Sequence, residues 1–349
     1  MMGRRTTLVG FGFALLLALT SACGGDDPKA SGDCLEPDKV NQAMDNEDYM
    51  NQIAWMTAEK KYWPELGFCE DARVVATSDY MAGLVGGDVW VAQGESADIW
   101  SATAEGSVDL TIIGVEKDSE AWFLGVRKGV DPDNLKGKKI SGGPPGDRNI
   151  QVGRNILKDM GTNPDDLNWV SVNGGSDERL QVLIAGQLDV AVLQPRHVAQ
   201  LEKAGGKMIY EDYADAPQET WVVQTKTLKE SKDAVCAWIE GRIAAKQWLS
   251  EGEDYRTNID AAIKIGKEYD REPSKGEIEE WDNEMEYNWS LDGGSPAASF
   301  DKWTDDMIAA DAIPKDYDWR DHADFSCLWQ AQEKLGLKQN PVKAEVEAS

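Results

Sequence analysis

The sequence predicts an α/β protein of two hinged lobes. Each lobe is a mostly parallel sheet flanked by helices, and a helical C-terminal extension sits on the first. Three observations carry this. The middle of the chain alternates short apolar strands with amphipathic helical stretches, the pattern of right-handed crossovers in a sheet covered on both faces. The same alternation reappears on either side of that block, so the outer lobe is assembled from two pieces of chain. The length is also more than one core usually holds.

Residues 34–120 are the first part of lobe 1, 121–218 are lobe 2, and 219–338 are the second part of lobe 1. A tail at 339–349 is expected to fray. In lobe 1, Asp38–Met44 and Arg73–Ala76 read as strands, Ile53–Tyr62 and Ala97–Ala104 as helices, and Leu110–Ile113 as a buried strand. Lobe 2 begins with the strand Lys139–Ser141. The helix Asn149–Met160 follows, apolar at Val152, Ile156, Leu157 and Met160 and stopped by Gly161. Asn168–Val172 is a strand, and Asp177–Ala185 is a helix with Leu180, Leu183 and Ile184 on one face. Val190–Leu193 is a continuous buried strand, Pro195 occupies the first turn of a helix, and Met208–Tyr210 closes the set. Thr220–Val223 then reads as a strand and Lys232–Leu249 as a long helix. The rest, through Leu337, reads as helices carrying Trp281, Trp289, Trp303, Trp319 and Trp329. The chain crosses between lobes near Val115–Ala121 and Gln218–Val223, the geometry of a clamp whose closure falls on a few hinge residues.

The first residues address the protein. Arg4 and Arg5 precede an apolar run, Leu8–Leu19, and the small residues Thr20-Ser21-Ala22 stand before Cys23, which is a secretory signal over 1–22. The run is shorter than the roughly 20 residues needed to span a bilayer. Leu19-Thr20-Ser21-Ala22-Cys23 also resembles a bacterial lipobox, with Thr20 where an aliphatic residue is usual. The alternative is a plain signal cut nearby, with Cys23 incidental. The polar stretch 23–33 cannot bury apolar surface and suits a flexible tether from a lipid on Cys23. We therefore expect an exported protein on the outer face of the cell membrane. The net charge of −27 argues against nucleic acid and against a peripheral grip on anionic lipid, leaving the acyl anchor as the membrane contact.

Cys23 aside, four cysteines remain, and four allow three pairings. Cys34 and Cys69 each precede a candidate strand, so neighbouring parallel strands would bring them together. Cys236 and Cys327 would tie the C-terminal segment to an earlier helix. No Cys-x-x-Cys or Cys/His cluster exists, and no metal or other cofactor is expected.

Three segments resemble a known family. Asn134-Leu135-Lys136-Gly137-Lys138-Lys139-Ile140 is similar to the start of the second lobe in periplasmic-binding-protein-like receptors. Gly175–Gln181 followed by Ala185–Ala191, and Val108–Gly114 in the first lobe, resemble two further family segments. The subgroup that fits is the taurine, alkanesulfonate and thiamine-precursor group of ABC solute-binding proteins, over Asp45–Leu249. The resemblance implies a type II periplasmic-binding-protein-like clamp acting as a monomer. It would capture a small organic solute (a sulfonate, carboxylate, or aromatic or heterocyclic compound) and deliver it to an ABC permease. The Trp-rich C-terminal third matches no pattern of that family.

Ligands in open α/β sheets bind beyond the strand carboxyl ends, where helix N-termini aim backbone N–H groups. That rule nominates Gly143, Arg148 and Asn149 in the first loop of lobe 2. The competing reading is a Gly/Pro turn capped by Asp147, and Pro144 and Pro145 remove two donors. Gly175 and Ser176 stand in the second loop, where Asp177 reads as a helix cap. Gln194 follows the third strand, and His197 reads as a surface residue. Lobe 1 offers Asp45, Asn46 and Tyr49 after its first strand, and Gln93 and Ser96 before the helix at Ala97. Trp100 and Trp221 are aromatics near crevice or hinge, and each could equally be core.

Two other classes compete. One is an enzyme, because the thiamine-precursor branch includes a pyrimidine synthase with this fold; no Gly-x-Ser-x-Gly elbow or phosphate loop is present. The other is an exported sensor or adhesion lipoprotein gripping a protein through its tryptophans. An exposed tryptophan patch would favour that reading, and burial would count against it.

Overall fold

A computed structural model describes residues 35, 42–44, 49–68, 74–76, 80–106, 108–144, 148–252, 255–279, 281–282, 285, 289–309 and 311–347. The leader, the tether, Cys23, Cys34, Cys69, Asp45 and Asn46 lie outside these residues. No described helix is long and apolar enough to cross a membrane.

Eight strands form one continuous sheet: β1 (Gln42–Met44), β2 (Val74–Ala76), β3 (Val91–Glu95), β4 (Leu110–Val126), β5 (Lys139–Ser141), β6 (Asn168–Trp169), β7 (Val190–Leu193) and β8 (Lys207–Gln224). Their order is β2-β1-β3-β8-β4-β7-β5-β6. β1 is parallel to β2 and β3, β5 is parallel to β6 and β7, and β4 and β8 run antiparallel along their lengths. The near half of β8 edges β3, and the far half of β4 edges β7. Each lobe thus has the same arrangement, β2-β1-β3-β8-β4 in one and β6-β5-β7-β4-β8 in the other. The two long strands exchange places between lobes.

This corrects the sequence reading, which broke these strands into Leu110–Ile113, Met208–Tyr210 and Thr220–Val223. β4 has 17 residues and β8 has 18, three times the usual strand length. Their polar middles, Glu116–Glu120 and Glu211–Glu219, hide the strand pattern. Register shifts at Ile112/Gly114, Val115/Lys117 and Lys117/Ser119 bend β4 where it crosses.

β3 was missed altogether. Gly94 weakens its strand signal, yet glycine is required there, because a Cβ would collide with the Tyr80 ring. Tyr80 belongs to an unforeseen helix, α2 (Tyr80–Gly86). Most other lobe helices fall near their expected places: α1 (Tyr49–Thr57, extended by a π-helical turn at Ala58–Tyr62), α3 (Ser96–Glu105), α4 (Arg148–Asp159), α5 (Ser176–Ile184) and α6 (Val198–Lys203); α7 (Thr225–Glu230) is a further unforeseen helix before the expected α8 (Lys232–Leu249).

The C-terminal region adds α9 (Ile259–Glu268), α10 (Lys275–Glu279), α11 (Ala297–Ala309), α12 (Ser326–Lys334) and α13 (Lys343–Glu347). Its tryptophans turn inward. Trp281, Trp289, Trp303 and Trp319 are buried, and Phe300 of α11 stacks 4.6 Å from Trp319 and 6.0 Å from Trp100. Trp238 of α8 sits 5.4 Å from Trp55 and 5.3 Å from Trp221, joining α1, α8 and the sheet in one core.

The segment after Trp289 straps the crossing strand. Ser290 N–H donates to the Glu116 carbonyl, and Val115 N–H donates to the Gly293 carbonyl. The expected frayed tail holds this strap in place. Asn340 Nδ2 donates to both Asp292 carboxylate oxygens, and Gln332 Nε2 donates to the carbonyls of Asp292 and Asn340. The Asn340 carbonyl packs so close to Gly294 that no side chain fits there. Buried polar groups with partners, not sequence position, order this tail.

A disulfide joins Cys236 of α8 to Cys327 of α12 across 91 residues. Replacing both cysteines with serine is expected to cost about 2–4 kcal/mol in urea unfolding. A loss below about 1 kcal/mol would show that packing of α12 on α8 suffices by itself.

Candidate functional site

The strand register shows where the carboxyl ends of the two lobes' strands converge. Glu95, the last residue of β3, pairs with Glu219 at the crossing, whereas Val91 pairs with Val223 farther away. In lobe 2, Leu193 at the end of β7 pairs with Phe123, closer to the crossing than Val190 with Val126. Both lobes therefore point strand carboxyl ends at the place where β4 and β8 cross, the position at which such sheets bind ligands.

On the lobe 1 side the crossing is floored by buried polar groups. Gln93 Oε1 accepts from Trp55 Nε1 at 2.7 Å, and Gln93 Nε2 donates to Glu219 Oε2 at 2.7 Å. Lys117 Nζ pairs with Glu219 Oε1 at 2.6 Å. Ser96, first in α3, donates to Thr220 Oγ1 at 3.3 Å. The structure thus gathers Gln93 and Ser96 against β8, next to Trp221.

Behind this floor lies an ionic cluster. Glu116, Arg242 and Lys246 are all fully buried. Arg242 Nη2 and Trp221 Nε1 donate to Glu116 Oε2 at 2.7 and 2.6 Å. Lys246 Nζ lies 3.2 Å from Glu116 Oε1 and donates to the carbonyls of Glu116 and Ser290. The Arg242 guanidinium lies over the Trp55 ring at 4.6 Å, a cation–π contact. Burial pushes the Glu116 carboxyl up, but Arg242 and Lys246 outweigh it and hold it below its ordinary value. Burial brings the Lys246 ammonium down to about 8 against the pull of Glu116.

Sequence reasoning missed this cluster. The signal was present on α8, where Trp238, Arg242, Lys246 and Leu249 share one face. Two cations on an apolar stripe need a buried anion, and Glu116 supplies it.

Lobe 2 brings Ser176 and Gln194 together: Ser176 Oγ donates to Gln194 Oε1 at 3.0 Å and accepts from Arg196 Nη2 at 3.2 Å. His197, read as a surface residue, is instead buried, with Nε2 2.9 Å from Ser176 Oγ. Burial, with Arg196 and Arg179, lowers it to about 3, so the ring is neutral. Asp177 does not cap α5. The Gly175 N–H goes to Glu178 Oε2 at 2.7 Å, and Asp177 meets Arg196 at 3.3 Å. Gly143 holds a φ of 130°, open to glycine, and its N–H donates to Ser141 Oγ. Gly142 lets the backbone of Asn149 approach, since a Cβ there would meet its carbonyl. Arg148 and Asn149 open α4.

Two candidates sit in cores. Tyr49 is buried against Trp281 and the Arg271 guanidinium, with its hydroxyl facing Gly266. Trp100 is buried on Phe300 and donates to Thr304 Oγ1 at 2.9 Å. Among the described residues, no group of three or more His, Cys, Asp or Glu side chains could hold a metal ion.

Solved structures share this architecture. The periplasmic aliphatic sulphonate binding protein SsuA from Escherichia coli superposes with a TM-score of 0.57 at 15% identity, covering 81% of this chain and 90% of that one. The chain has the periplasmic-binding-protein fold. The periplasmic nitrate-binding protein NrtA from Synechocystis gives 0.58 at 14% identity, covering 88% and 93%. The desulfurization enzyme DSZB gives 0.58 at 11%, covering 84% and 99%. At these identities the likeness is one of fold. No family model matches the sequence, and neither does any curated protein.

Glu116→Gln would leave Arg242 and Lys246 buried without their counter-charge, and is expected to cost about 3–5 kcal/mol in chemical unfolding. Because the folded pKa of Glu116 is lowered, its contribution is complete above the unfolded carboxylate pKa of about 4.3 and is lost as pH falls through the folded value. Unfolding curves between pH 3 and 7 should lose part of their acid slope in the variant.

Proposed function

We propose that the protein is the solute-binding component of an ABC importer. In this reading a lipid on Cys23 holds it at the outer face of the membrane. It closes its two lobes around a small sulfonate, carboxylate, or aromatic or heterocyclic compound and delivers that cargo to a permease. The observation that carries this reading is the crossing itself. Both lobes aim strand carboxyl ends at a place spanned by two bent strands, the design of a clamp that closes on a solute. Burial of the C-terminal tryptophans counts against a protein-gripping patch.

The fold is shared with an enzyme, so fold alone does not exclude catalysis. One local geometry bears on this: Ser176 Oγ beside His197, with Asp177 Oδ1 3.7 Å from His197 Nδ1. It suits a base poorly. The ring is buried with a lowered pKa, and Ser176 is 5% exposed with its hydroxyl already bonded to Gln194 and Arg196. Labelling of Ser176 by a fluorophosphonate would revive the enzyme reading.

Thermal shift against sulfonates, aromatic carboxylates, pyrimidines, flavins, amino acids and sugars tests the proposal. Cargo at 100 times its Kd should stabilise the protein by about 2.7 kcal/mol, without turnover. Gln194→Ala should weaken the same cargo about fivefold, the worth of one hydrogen bond of about 1 kcal/mol. Silence across the panel would move the assignment to a protein-binding lipoprotein.

A further inference from the structure

Gln194, Arg196 and His197 all meet the Ser176 hydroxyl, and the donors and acceptors around that one oxygen fix where the protons lie. A serine hydroxyl has one proton and two lone pairs. Gln194 Oε1, an acceptor, takes the proton at 3.0 Å. Arg196 Nη2, which can only donate, fills one lone pair at 3.2 Å. His197 Nε2 is the remaining neighbour, at 2.9 Å. With the proton spent on Gln194, a bare Nε2 would set lone pair against lone pair. Nε2 therefore carries hydrogen and donates.

The far side of the ring agrees. A neutral imidazole has a single N–H, and burial beside Arg196 and Arg179 keeps this ring neutral. Nδ1 lies 3.7 Å from Asp177 Oδ1, beyond hydrogen-bond reach, and Asp177 accepts from Arg196 instead. Nothing there draws the proton to Nδ1. This order is the reverse of a nucleophilic serine's, in which the histidine offers the hydroxyl a bare nitrogen and the carboxylate holds the other N–H.

Ser176 and His197 are buried, whereas Gln194 is half-buried and reaches the surface just after the carboxyl end of β7. Its Oε1 is held by Ser176, and its Nε2 has no hydrogen bond among the described residues.

We propose that His197 is a positioning residue: its Nε2–H orients the Ser176 hydroxyl, which in turn holds the Gln194 amide with its NH2 free to donate to cargo. The cargo atom at Gln194 is then an acceptor, a sulfonate or carboxylate oxygen or a ring nitrogen. That last step rests on the solute-binding reading; the proton order does not.

The test reads the ring first. Long-range 1H–15N spectra of the folded protein at pH 7 report which ring nitrogen carries hydrogen. The chain has two histidines, so a His322→Gln variant assigns the signals. The expected result is hydrogen on Nε2 and none on Nδ1. Hydrogen on Nδ1 overturns the proposal, because Ser176 would then donate to His197 and the Gln194 amide would be reversed. Hydrogen on both nitrogens overturns it as well. Calorimetric titration with ethanesulfonate and with benzoate checks the consequence. His197→Leu, which removes the donor, should weaken whichever probe binds by about fivefold, the loss of one hydrogen bond. His197→Gln, whose Nε2 restores a donor, should recover most of that loss. Equal affinity in His197→Leu and the parent chain overturns the positioning role. If neither probe binds the parent chain, the cargo step fails. In that case, or if His197→Leu does not fold, the tautomer alone decides whether His197 orients Ser176.

Discussion

Everything at the crossing depends on Glu116 being ionised where water cannot reach it. A lone buried carboxylate would protonate or leave the interior. Here the carboxylate is held by Arg242, Lys246 and Trp221, which come from α8 and β8. α8 and the strands β4 and β8 are therefore locked to one another at the point where the chain passes between lobes. The neighbouring Lys117–Glu219 pair repeats the device across the two long strands. Such pairs contribute less to net stability than to geometry, since desolvation offsets much of their attraction.

The same crossing is held from a second side. The strap Trp289–Gly294 bonds to the β4 backbone, and Lys246 bonds to both strap and strand through their carbonyls. Asn340 and Gln332 in turn fix Asp292. The C-terminal third is thus bound up with the hinge. Three of the four register shifts of β4, from Ile112/Gly114 to Lys117/Ser119, fall beside these anchors, and the fourth, at Leu124/Gly125, lies farther into lobe 2. In lobe 2 Ser176 and Gln194 come from the N-terminus of α5 and the loop after β7, beside the buried His197.

The candidate site was unevenly legible. Gln93, Ser96, Ser176 and Gln194 were nominated by a single rule, ligands beyond strand carboxyl ends, which reads directly from strand-then-helix order. That rule could not tell a crevice residue from one turned into a core, and Tyr49 and Trp100 lie inside cores. His197 was misjudged because exposure was inferred from its place on a helix's first turn, whereas it is buried against Ser176. The ionic cluster was legible only in half: Arg242 and Lys246 share a face of α8 with Trp238 and Leu249, but their partner Glu116 lies more than a hundred residues away in sequence.

The sequence by itself determined the fold class and the helices of lobe 2, because apolar periodicity and glycine stops are local signals that need no partner. It also determined the long helix Lys232–Leu249 to the residue. Tertiary structure alone decided that β4 and β8 are single strands shared by both lobes. Their middles are polar, and only pairing with each other makes them extended. It also decided the fate of the tail, ordered by Asn340 and Gln332 rather than by any propensity of its own. Above all it decided which charges are buried together, since burial is a property of the packed molecule and not of any residue within it.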